Sequence, residues 1–332
     1  MRKLSVVVAL LCAAWCLWWW VASSTLQSGV QAWFDAREGE GWQAELGAVT
    51  GGGFPFQLRA SLSDIALADP DAGLAVQTDR LDIKAPAHWP GDVTVMLDEG
   101  PIVLASPFGR SMLTMQDGQM ELNLQPGTAL ELEALGWTSN QWTISDATGV
   151  RVGADTLTLT MTQDSGPTYD FVARANTFTP GDATRARLRV PNSFPRAFDS
   201  LTLQARVTFD RAWDRRALDT VRPQPRQINL HLAEAKWGDL NLKFAADLAV
   251  SADGIPDGKL SVQAENWRTM LDFAQASGTL PPALRDQADS VLKVLAGASG
   301  NPDTLDVELT MRDGAIYLGF LPIAPAPRLI IR

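Results

Sequence analysis

Thr156-Leu157-Thr158-Leu159-Thr160-Met161-Thr162 alternates a hydroxyl side chain with an apolar one along its whole length. A β-strand sends successive side chains to opposite faces, so this stretch predicts a strand with one apolar and one polar face. The same period of two recurs outward along the chain. Leu201, Leu203, Ala205, Val207 and Phe209 alternate with Thr202, Gln204, Arg206 and Thr208. Leu240, Leu242, Phe244, Ala246, Leu248 and Val250 keep the pattern over a longer run. Shorter instances are Phe56 to Leu62, Val93 to Leu97, Met120 to Leu124, Ile228 to Leu232 and Leu305 to Met311. One wet face and one apolar face per strand is the habit of antiparallel sheets covered on one side.

Turn chemistry points the same way. Asp117-Gly118, Asp253-Gly254, Asp257-Gly258 and Asp313-Gly314 each fall between alternating segments, where a hairpin wants positive φ. Helical spacing is confined to few places. Trp267, Met270, Leu271 and Phe273 mark a helix over Asn266–Ser277, and Pro282 opens a second that stops near Gly297. Together they predict an αα-hairpin laid on the sheet. A short helical piece is expected over Asp210–Thr220.

The N-terminus follows a different rule. Arg2 and Lys3 precede Leu4–Ala22, which carries no charge. Nineteen helical residues extend about 28 Å, close to the hydrocarbon thickness of a bilayer and longer than a signal-peptide core. The basic end marks the cytoplasmic side, so the body is expected outside it, in the periplasm of an inner-membrane protein. Trp18, Trp19 and Trp20 suit the outer membrane interface. Cleavage after Ala22-Ser23-Ser24 is the rival to an uncleaved anchor. Leu26, Val30, Trp33 and Phe34 keep helical spacing, so the anchor continues as a stalk ended by Gly39 and Gly41. Residues 1–23 are thus expected to be the anchor, 24–41 the stalk and 42–332 the β-rich body. The Pro- and Gly-rich stretch 166–195 is a candidate boundary between two halves of that body.

Composition narrows the function. Arg2 and Lys3 are the only charges before Asp35, so the remaining 26 basic residues face 38 acidic ones. An acidic body is repelled by polyanions, and no nucleic-acid partner is expected. Both cysteines, Cys12 and Cys16, lie in the anchor, and neither follows the small residue a lipidation site requires. The cysteine-free body fits an oxidising compartment and excludes thiol catalysis and Cys-based zinc sites.

Motifs with chemical meaning give way to structural readings. Ser290 and Lys293 have S-x-x-K spacing, but the partner motifs of penicillin-interacting enzymes are absent. Asp69-Pro70-Asp71-Ala72-Gly73 begins like a calcium loop and lacks the later ligands. Gly51-Gly52-Gly53 is followed by Phe54-Pro55-Phe56 and a strand, which is no phosphate loop; it reads as a flexible strand entry or a close backbone contact with the stalk. Gly109-Arg110-Ser111 does not complete a nucleophile elbow, and His88 and His231 are isolated. No enzyme, metal site or cofactor is expected.

The most distinctive text is Gly53-Phe54-Pro55-Phe56, Ala235-Lys236-Trp237-Gly238, Asp253 to Leu260, Glu265-Asn266-Trp267 and Asp313 to Gly319 with Pro322. With the anchor, it resembles a family of uncharacterised Gram-negative envelope proteins, mostly alphaproteobacterial, described as a domain of unknown function. The resemblance covers nearly the whole chain and rests on turns and strand starts, so it implies kinship without chemistry. The layout of one anchor and a long β-rich body is also similar to AsmA-like proteins. That likeness implies the movement or sensing of lipids along an apolar groove.

The expected fold class is therefore mainly β: a long curved antiparallel sheet or incomplete sandwich, with an N-terminal transmembrane helix and a C-terminal helical hairpin. Its apolar strand faces, foremost Leu240, Leu242, Phe244, Leu248 and Val250, either close into a core or line a groove for acyl chains. The first case makes the protein a structural or interaction protein with an envelope partner. The second makes it a lipid-handling one. Inward residues that are mostly medium aliphatics lean toward the groove.

Overall fold

An uninterrupted apolar run without proline propagates a helix through the membrane-length segment and well past it. In the computed structural model, which describes residues 2–192, 194–217, 222–298 and 301–331, helix α1 runs Arg2–Gly39. It is long and apolar enough to cross a membrane. Gly41, at φ +93°, turns the chain out of it. Anchor and stalk are one continuous helix.

The strand pairings within each of the two compact units into which the chain divides are antiparallel. The first takes the chain up to Leu124 together with Trp137–Ala147. Its strands are β1 (Gln43–Gly52), β2 (Gln57–Asp69), β3 (Leu74–Pro86), β4 (Asp92–Leu97), β5 (Ile102–Ser106) and β6 (Gly109–Leu124). They pair in the order β1–β2–β3, with β4 and β5 end to end between β3 and β6. Strand β7 (Leu132–Asp146) begins in the second unit and ends in the first. The core of the first unit is built by α1 on β2. Phe34 is buried with Ala60, Leu62 and Ile65, and Leu26, Val30 and Trp33 pack around them. Leu62 and Ile65 both point inward because Asp64, at φ +53°, reverses the alternation between them.

The second unit takes Gln125–Gly136 and the chain from Thr148 onward. It contains β8 (Gly149–Ser165), β9 (Thr168–Asn176), β10 (Thr179–Pro180), helix α2 (Asp182–Arg187), β11 (Ser200–Phe209), β12 (Pro225–Trp237), β13 (Leu240–Val250) and β14 (Pro256–Glu265). Helices α3 (Trp267–Ala276) and α4 (Pro282–Ala298) follow, then β15 (Thr304–Arg312), β16 (Ala315–Leu318) and β17 (Leu321–Pro325). The pairing is a meander in which β8, β9 and β11 to β17 lie side by side in that order, with β10 continuing β9 along β8 in the same register. The stretch 166–195 lies within this unit.

The fold class read from the alternation is the one observed: mainly β, with long antiparallel pairing, an apolar N-terminal helix and a C-terminal helical hairpin. Two Asp-Gly pairs are corrected. Asp253-Gly254 and Asp313-Gly314 are turns, but Asp117-Gly118 lies inside β6 and Asp257-Gly258 inside β14. Asp117 and Gly258 do adopt positive φ, at +50° and +143°. The same residue pair serves an irregular strand as well as a hairpin, so the pair alone does not separate the two. Of the helix expected over Asp210–Thr220, a single 3₁₀ turn at Arg215–Ala217 is formed, and residues 218–220 lie outside those described.

Candidate functional site

Strand register in the second unit aligns the apolar residues of separate segments into rows that cross the sheet. One row reads Leu159, Ala173, Leu203, Ala233, Phe244, Val262 and Val307, each directly opposite the next. The neighbouring row reads Met161, Phe171, Ala205, Leu230, Ala246, Leu260, Leu309 and Leu318. Opposed residues in an antiparallel pair share a face, so each row is one continuous apolar stripe. A bulge at His231 in β12 absorbs one extra residue and keeps the stripe in phase.

Both flanks of this pair of rows are closed. On one side, Leu242, Ala264 and Leu305 are covered by α3 and α4, where Trp267 and Ala296 are buried against Met270, Leu271 and Leu292. Leu240 joins the adjacent cluster with Val190 and Trp237, sealed by Phe194, Phe198 and Phe273. Arg185 pins that corner by donating from its guanidinium to the carbonyls of Phe194 and Pro195, 3.1 and 2.7 Å away. On the other side, Leu248, Val250 and Met311 are buried. There Tyr169 is fully enclosed; its ring meets Phe209 edge-on, and its hydroxyl accepts the Trp213 N–H at 3.0 Å.

Between the flanks the rows stay partly open. Phe244, Val262, Val307, Leu230, Leu260 and Leu309 are all half-buried, and Leu203 is 39% exposed. Seven strands at about 4.8 Å spacing make a strip roughly 29 Å long. With two rows about 7 Å apart along the strands, the strip covers on the order of 200 Å² of the sheet face.

The opposite face of the same sheet is a ladder of charges. Asp170, Arg206, Asn229, Asp247 and Lys259 stand opposite one another across five strands. Arg206 donates two hydrogen bonds to Asp170, at 2.8 and 2.9 Å, and those bonds hold the carboxyl below its ordinary range against the opposing effect of burial. Lys259 pairs with Glu308 at 2.9 Å. This face is solvated, which leaves the apolar one to be explained.

The five residues singled out in the sequence therefore separate. Leu240, Leu248 and Val250 are buried, Leu242 lies under the helical hairpin, and Phe244 lies in the open rows. Their companions there, Leu230, Leu260, Val262, Val307 and Leu309, come from strands that read as ordinary half-buried strands one at a time. Only the pairing partners, which the alternation leaves unstated, join them.

The remaining motifs take structural places. Gly51 abuts α1, where an added Cβ would lie 2.3 Å from the Gln27 amide and 3.2 Å from the Ser23 hydroxyl, so the glycine serves close approach to the stalk. Asp69 caps its own turn by accepting the Asp71 and Ala72 N–H groups. The Ser290 hydroxyl donates to the Asp286 carbonyl at 2.8 Å. His88 and His231 are exposed, and no group of metal-binding side chains occurs among the described residues.

An apolar N-terminal helix of membrane-spanning length on a meandering β body with a helix-flanked apolar face defines the class: a β-rich protein with a candidate transmembrane helix. The family model described as an uncharacterized protein conserved in bacteria (DUF2125) matches residues 19–327, and the chain belongs to that family. No curated protein matches it.

Proposed function

We propose that this is a non-enzymatic lipid-handling protein of the bacterial envelope, held in the inner membrane through residues 4–22 with its body in the periplasm. The open rows of the second unit hold acyl chain. The observation that carries this is the half-buried strip centred on Phe244, Val262 and Leu260, apolar across seven strands, buried at Met161 and Ala205 and closed on both flanks. Covering the exposed part of the strip at about 25 cal/mol per Å² favours an apolar occupant over water. Aliphatic side chains without hydrogen-bonding groups suit hydrocarbon and offer nothing to a polar ligand. The basic N-terminus and cysteine-free body support the location.

The test is native mass spectrometry with lipid extraction on the full chain purified in mild detergent, beside the Val262→Glu variant. Stoichiometric phospholipid on the wild type, lost severalfold in the variant, is expected. Equal lipid on both would contradict the proposal. It would favour the alternative, a structural or interaction protein, for which β17 supplies an observation of its own. That strand is paired with β16, and its Leu321 and Ile323 side chains are exposed.

A further inference from the structure

α1 stays in contact with the body well into its membrane-length segment. Trp15, Trp18 and Trp19, one face of the helix at spacings of three and four, donate their indole N–H groups to the carbonyls of Pro55, Ala87 and Gln57 at 3.0, 3.1 and 2.7 Å. Phe54 packs edge-on against Trp19 with ring centroids 5.3 Å apart. The tip Gly53–Gln57 and the turn at Ala87 are tied together by the Ala87 N–H donating to the Phe56 carbonyl at 2.8 Å. This end of the first unit therefore sits level with Trp15–Trp19.

That level falls inside the apolar span. Residues 2–14, the part of α1 beyond the tip, extend only about 20 Å, while a hydrocarbon core is about 30 Å thick. Trp15 lies seven residues before Ala22, so the tip sits within the last 10 Å or so of a Leu4–Ala22 span. Burial to about 5–10 Å is the depth at which interfacial elements lie.

The tip is composed for that depth. No charged residue occurs from Leu46 to Leu58, and His88 is the only ionisable one from Ala85 to Gly91. Phe54 and Phe56 are 56% and 76% exposed, and Leu17 and Trp20 of α1 are exposed as well. Carbonyls carried into a water-poor layer require donors, and the three indoles supply them. Just above, Arg59 and Lys84 face each other across β2 and β3. Two cations directly opposed repel unless an anion lies between or beside them; Asp82, two residues from Lys84 on β3, offsets part of that repulsion, and a headgroup phosphate would offset the rest. Among the described residues neither makes an ion pair; Lys84 donates to the Met96 sulfur. Arg59 lies three residues beyond Phe56, about 10 Å along the strand, which is the level of lipid phosphates.

We infer that the Gly53–Gln57 tip and the Ala87–Gly91 turn are inserted in the interfacial layer of the bilayer that α1 spans, with Arg59 and Lys84 at the headgroup phosphates. This rests on α1 being a membrane span. The full chain carrying Cys12→Ala and Cys16→Ala is given a single cysteine by Val8→Cys, Phe56→Cys or Phe108→Cys. It is labelled with an environment-sensitive fluorophore and reconstituted in phosphatidylethanolamine–phosphatidylglycerol vesicles. Lipids bearing a nitroxide near the top of the acyl chain are expected to quench position 56 severalfold more than position 108, which is fully exposed in the same unit. Position 8 reports the span separately. Quenching at 8 from deep in the acyl chain, with 56 no more quenched than 108, would overturn the insertion and leave the anchor standing. Positions 8 and 56 both in water would overturn the anchor and the insertion with it.

Discussion

Gly258 shows how much one residue decides in a sheet of this kind. It sits inside β14 opposite Leu248, at φ +143°, and an added Cβ would lie 2.1 Å from the Asp247 carbonyl oxygen on the neighbouring strand. A backbone atom cannot swing away as a side-chain tip can. Gly258→Ala is therefore expected to lower the stability of the full chain by at least ~2 kcal/mol in chemical denaturation. Gly314→Ala is the comparison. Gly314 also has positive φ, but it lies in a turn with open space around it. Its replacement should cost about 1 kcal/mol. Equal effects would mean that backbone conformation, and not the contact with Asp247, governs position 258. In the sequence both glycines follow aspartate and both announce positive φ. The difference lies in what stands across the gap, which no local pattern carries.

At the scale of elements, the strands were legible because a period of two survives in each segment, and the αα-hairpin because Pro282 and the apolar spacing of Trp267 to Phe273 are local signals. Less legible was the docking of α1. Its apolar spacing extends from Leu26 to Phe34 and announces a stalk, but Phe34 is buried against Ala60, Leu62 and Ile65 of β2, which makes the stalk half of the core of the first unit. Trp18 and Trp19 were read as interface anchors, and their bonds to the Ala87 and Gln57 carbonyls required partners remote in sequence. Phe34→Ala should accordingly cost about 3 kcal/mol, measured as a shift of the denaturant midpoint in detergent. Phe320→Ala, at a residue 92% exposed, should leave that midpoint in place. A silent Phe34→Ala would show that the helix merely tethers the first unit.

For the molecule as a whole, one apolar strip matters most. The alternation of each contributing strand is legible in the sequence, β13 foremost, but the strip exists only once register sets Phe244 beside Val262 and Val307, with Leu230, Ala246, Leu260 and Leu309 in the next row. The charges behind it, Arg206 with Asp170 and Lys259 with Glu308, keep the opposite face in water. Membership of the family settles kinship and leaves the ligand open, so the sheet face must be questioned directly. A photo-reactive amino acid placed at position 262, and separately at position 261, in cells grown with radiolabelled lipid precursor makes that test. Val262 faces the strip and Ser261 the charged side of the same strand. The account predicts a lipid adduct at 262 and none at 261. Adducts at neither position, or equally at both, would contradict it.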